Sequence, residues 1–218
     1  DWIDYLLIDA HCERPFPPYV LEHGVPDRKP VISFPEISMY RMSPWGGYGT
    51  NPFPGRLQEL WDSAKHVIRG GFPYSEGIYE DLNKAVCAQF YWDDRPAWET
   101  VREYLAARFG EAAARELVPV VQTMEANLTH SVVGEGEGRR IAMPCAAGTA
   151  EAYARAQAAE ALMTRAARAN WRWRVFALRA LLDAELAAHE GRITSACEEA
   201  FAELTRLYHA EGALSWVV

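Results

Sequence analysis

The stretch from Gly71 to Asp93, GFPYSEGIYEDLNKAVCAQFYWD, constrains the fold more than any other part of the chain. It opens as a short apolar run and turns on Ser75-Glu76-Gly77. It then continues as a helix with Leu82, Ala85, Val86, Gln89 and Phe90 at helical spacing. A strand, an acid at its carboxyl end, a glycine and then a helix is how barrel and open-sheet α/β enzymes present a catalytic group. Glu80 and Asp81 fall in the first turn of that helix, where acids complement the helix dipole, and their pattern implies no chemistry.

The residues before this stretch repeat the pattern. Tyr5 to Asp9 is a continuous apolar run closing on a charge, with His11 just beyond, and reads as a strand buried on both faces. Arg14 to Pro30 holds five prolines and reads as a loop with at most a helical turn at Tyr19–His23. Val31 to Phe34 is a second short strand, followed by Glu36. Met39 to Pro54 is a long loop rich in glycine, proline and aromatics, and loops of that length inside a domain are usually functional. A helix is expected from Gly55 to Ile68, carrying Leu57, Leu60, Trp61, Ala64 and Ile68 and stopped by Gly70-Gly71. Alternation of this kind implies a parallel sheet over residues 1–93.

Residues 94–218 read as helical. Asp94 is positioned to cap a helix with Pro96 in its first turn. Helices are expected over Trp98–Phe109 and over 111–127, then a loop or hairpin across 132–148. A long alanine-rich helix should cover 151–186, and Ser195 with Glu198 forms a capping box for a last one. The expected fold class is therefore α/β followed by all-α, the second part being a helical bundle.

Composition narrows the functional classes. A net charge of −8 with no lysine or arginine cluster in the sequence argues against nucleic acid or an anionic membrane as partner. No apolar run approaches the ~18 residues of a spanning helix. The four cysteines lie far apart without metal-site spacing and read as free, buried thiols. Aromatic side chains stack on the apolar faces of sugar rings. Tyr40, Trp45 and Tyr48 in the long loop, with Tyr74 before Glu76, could form such a platform or pack the loop. Asp9 and His11 form either an acid–imidazole pair facing a substrate or a buried structural contact. Trp92, Trp98, Trp171 and Trp173 read as core or interface.

Several strings carry a resemblance: YSEGIYEDLNK, QFYWD with Trp92-Asp93, EYLAARFG at Glu103–Gly110 and WRWRVFALRALLDAEL at Trp171–Leu186. They resemble the end of the (β/α)8 (TIM) barrel and the helical C-terminal domain of α-glucuronidases, α-N-acetylglucosaminidases and β-N-acetylglucosaminidases. The resemblance implies barrel strands six to eight in residues 1–93 and a helical domain over 94–218. The missing N-terminal part of the barrel would then lie upstream of Asp1. It implies a glycoside hydrolase-like protein acting on a glycan such as a hexosamine or uronic acid, with no cofactor. Glu36 and Glu76 become the candidate catalytic acids, Glu36 matching the nucleophile's place on strand seven and Glu76 also able to contact substrate. Asp9, His11, Tyr40, Trp45, Tyr48 and Tyr74 become candidate substrate-binding residues. The competing readings are a non-catalytic carbohydrate-binding or structural relative, and a helical interaction module.

Overall fold

The computed structural model describes residues 2–10, 16–37, 50–75, 80–128, 131–138, 140–143 and 146–208. Three parallel strands, β1 (Leu6–Ala10), β2 (Val31–Pro35) and β3 (Ile68–Gly71), form a sheet in sequential order. Leu6 pairs with Val31 and Val31 with Ile68. The short helix α1 (Pro18–His23) connects the first pair and α2 (Pro54–Ala64) lies between the second and third strands. Helix α3 (Asp81–Trp92) follows β3.

Helices α2 and α3 cover the same face of the sheet. Trp61 and Tyr91 pack onto the Ala10, Phe16, Ala64 and Ile68 cluster, and Tyr91 hydroxyl meets Ser33 Oγ at 2.7 Å. Alternation along a strand puts Leu7, Ile32 and Phe34 on the opposite face. That face is open at Leu7, which is 60 % exposed, so β1 is not buried on both sides as its sequence suggested.

The start of β3 departs from expectation as well. Helix α2 stops at Ala64, and Gly70-Gly71 lies within a strand, paired with Ile32 and Ser33, instead of ending a helix. A Cβ on Gly71 would sit 1.8 Å from Cζ of Tyr91, so the ring can come this close to the strand only over a glycine.

The remaining helices are α4 (Ala97–Phe109), α5 (Glu111–Ala126), α6 (Thr149–Leu162), α7 (Arg165–Arg168), α8 (Trp171–Ala188) and α9 (Ser195–Tyr208). An antiparallel hairpin, β4 (Ser131–Val133) and β5 (Arg140–Ala142), interrupts them. One apolar core runs from Leu57 of α2 and Val86 of α3 through Val101, Leu117 and Ala156 to Trp173 and Phe176. Helix α5 packs against α4 and α6, and α8 against α6 and α9.

Three local expectations are corrected. The single helix over 151–186 is α6, α7 and α8, because Thr164 accepts from Ala167 N–H and Asn170 from Arg172 N–H, each starting a new helix. Asp94 caps nothing: it accepts from Trp61 Nε1 at 2.8 Å and Lys65 Nζ at 3.0 Å, tying α2 to the α3–α4 turn. The cap of α9 is Thr194, whose Oγ1 accepts from Cys197 N–H at 3.2 Å, one residue before the expected Ser195. Trp92 is 89 % exposed and belongs to no core. Cys87 and Cys197 are buried free thiols, as expected.

Gly71→Ala should push Tyr91 off the sheet and cost roughly 1–3 kcal/mol, as overpacking does. Gly70→Ala, whose new methyl meets no atom within 4 Å, should stay close to wild type. Urea denaturation of the two variants compares them; equal stabilities would contradict the packing described.

Candidate functional site

Beyond Pro35 the pairing of β2 with the chain after β3 continues for two more residues. Tyr74 N–H donates to Pro35 O at 2.8 Å, Ile37 N–H donates to Tyr74 O at 3.0 Å, and Glu36 bridges to Tyr74. Ile37 joins the main core, so alternation turns the neighbouring Glu36 to the side that Phe34 faces. Glu36 is nonetheless buried, at 2 % exposure. The Phe34 ring lies 5.4 Å from that of Tyr74 and 5.9 Å from that of Phe72.

A second acid comes to the same end of the sheet. Glu80, at the N-cap position of α3, does not cap the helix with its side chain. It turns inward to 1 % exposure, where Ser75 Oγ donates to its Oε2 at 3.0 Å. Its Oε1 is buried with no hydrogen-bond partner among the described residues. Burial pushes the Glu80 carboxyl up to about 7; the Ser75 hydrogen bond opposes the rise and the like charge of Glu36 adds to it. Two buried acids within electrostatic reach of each other, one holding its proton close to neutral pH, can transfer protons to and from a bound group.

The support beneath them is a buried polar frame. Asn83 Nδ2 donates to Ile37 O and to Asn51 O, both at 2.9 Å, and its Oδ1 accepts from Phe53 N–H at 3.2 Å. One amide of α3 thus joins the end of β2 to the residues leading into α2. From α8, the buried Arg179 donates through Nε to both carboxylate oxygens of Asp183 and through Nη1 to Thr50 O at 3.1 Å. Asp81, next to Glu80, points the other way. Partial burial opposes its ionisation, but Arg172, Tyr104 and Arg108 hold it below the ordinary carboxylate range.

Of the residues singled out from the sequence, Glu36 and Tyr74 lie together at this site. Asp9 is exposed on β1 in register with Phe34, away from the helices. Glu76, His11, Tyr40, Trp45 and Tyr48 lie outside the described residues. Glu80 and Asn83 were missed. Their signal was present: Glu80, Asn83, Cys87 and Phe90 recur at three and four residues and are all buried, so an acid and an amide sit on the inward stripe of the helix. Among the described residues no group of His, Cys, Asp and Glu could hold a metal ion, and no helix is long and apolar enough to cross a membrane.

The Glu80 environment has a pH signature. Its carboxyl binds a proton near pH 7 in the folded chain and near 4.5 when unfolded, so the folded state carries more protons between those values. Stability contributed by this group is therefore greatest below pH 4.5 and falls as pH rises towards 7. Glu80→Gln should remove that fall and stabilise the protein above pH 7 by up to roughly 3 kcal/mol. Urea denaturation of wild type and variant at acidic and alkaline pH reads this; a difference independent of pH would contradict it.

No family model matches the chain, and neither a curated protein nor a solved structure matches it.

Proposed function

We propose that this chain is the carboxyl-terminal part of a (β/α)8-barrel glycoside hydrolase-like protein, with Glu36 and Glu80 as the acids of its site. The observation that carries the reading is the pair itself: two buried carboxyl groups beyond the carboxyl end of a parallel strand, one with its pKa raised to about 7. Glycosidic cleavage uses an acid to protonate the leaving oxygen and a carboxylate to stabilise or capture the cationic sugar carbon. Glu80, holding its proton near neutral pH, suits the first role and Glu36 the second. The sequential parallel sheet with α2 and α3 on one face, and the aromatic Phe34, Phe72 and Tyr74 on the other, agrees with three adjacent units of a barrel wall. Five more strands would complete it. Glu76 stays a candidate acid on the resemblance alone.

A second reading is a non-catalytic carbohydrate-binding or structural relative. It is favoured by the depth of both acids, 2 % and 1 % exposed, which suits a structural pair.

Kinetics on aryl glycosides of N-acetylhexosamines and uronic acids, measured on the protein with its native flanking sequence, separate the two. Under the catalytic reading Glu36→Gln and Glu80→Gln each lower kcat about 10²–10⁴-fold with the fold intact. Glycan binding without turnover in wild type would support the second reading and overturn the first.

A further inference from the structure

We infer that a second site, at the opposite end of the sheet, binds the anionic group of a phosphate or sulfate monoester. It is a cavity of about 460 Å³ where α1 leads into β2 and α2 leads into β3. Arg28, Lys29, Arg69, His23 and His66 line it, and among the described residues no acidic one does. The five come from two separated segments, so the cluster exists only in the fold.

The distribution of charge is what singles the cavity out. The chain carries 30 acidic against 22 basic residues, and two other cavities among the described residues mix the signs: Glu151 with Arg155 in one, Glu199 and Glu203 with Arg174 and Arg206 in the other. Among the described residues no carboxylate pairs with Arg28, Lys29 or Arg69; Arg69 Nη1 donates only to the carbonyl of Ile68. Glu22 lies 3.7 Å from His23, and Asp27 is exposed beside Arg28. His66 Nε2 already contacts Leu21 O at 3.0 Å, which fixes its ring at the wall.

Asp27 and Arg28 both take left-handed conformations, with φ of 55° and 51°, which side chain-bearing residues seldom adopt. Arginine forks match tetrahedral oxyanions and lysine adds a point charge. Val25, Pro30 and Val67 supply an apolar wall for the organic part of a monoester. Val31 to Glu36 spans about 16 Å of strand, so the site is distinct from the buried acids and does not depend on their role.

An amide-resolved NMR titration of the protein with inorganic phosphate, phenyl phosphate and phenyl sulfate tests it. Saturable shifts of Gly24, Val25 and Val67 are expected, with the tighter ester naming the source of the anion. Arg28→Ala with Arg69→Ala should weaken binding about tenfold or more, since two charge-assisted contacts are lost. Added salt should weaken binding in wild type, a check that needs no variant. Arg155→Ala, on α6, should change nothing. Shifts that do not saturate, or an affinity unmoved by salt or by the double substitution, would overturn the assignment.

Discussion

Asn83 is the contact on which the carboxyl end of the sheet depends. Its amide has four hydrogen-bonding positions, and three of them are used on buried backbone groups of Ile37, Asn51 and Phe53. Those groups sit where regular pairing has ended, between a strand and a helix, and leaving such a buried group without a partner costs about 1–3 kcal/mol. By satisfying them from α3, the chain holds the end of β2, the entry to α2 and the start of α3 in one arrangement. Glu36 immediately precedes Ile37 and Glu80 lies one turn before Asn83, so the same contact fixes the separation of the two acids.

The helices after residue 93 extend this frame. Glu125 of α5 accepts from the backbone N–H groups of Gly55 and Arg56, supplying α2 with the cap that Phe53 cannot. Arg179 of α8 reaches Thr50, and Arg172 of the same helix pairs with Asp81 at the start of α3. These are long-range polar contacts onto the termini of α2 and α3, set on a common apolar core. A charge buried with its partner is costly to break singly, so the helical part locks the strand ends more than it stabilises them.

How far the sequence revealed this depended on the range of the interactions. The runs at Tyr5–Asp9 and Val31–Phe34 identified β1 and β2 almost to the residue, because short apolar runs bounded by turn residues suffice. A strand at the opening of the Gly71 stretch was legible, but its start was not, since Ile68 continues the spacing of Leu57, Leu60, Trp61 and Ala64; only pairing with Val31 and the approach of Tyr91 to Gly71 place Ile68–Gly71 in the sheet. The breaks at Thr164 and Asn170 were written locally but masked by the alanine-rich sequence around them. Glu36 was legible from its place after a strand. Glu80 was read as a helix-dipole acid, since its inward turn depends on Ser75 and on burial under the fold, neither of which a local pattern contains. The cationic cavity could not be read at all, being assembled from segments some forty residues apart.

Two acids share the buried end of β2, and burial raises the pKa of one of them, Glu80, to about 7. Carbon-detected NMR of the Glu80 carboxyl as a function of pH measures it directly. A midpoint near 7 is expected, moving down in Glu36→Gln, where the like charge is gone. A midpoint near 4.5, the ordinary value for a glutamate, would contradict it.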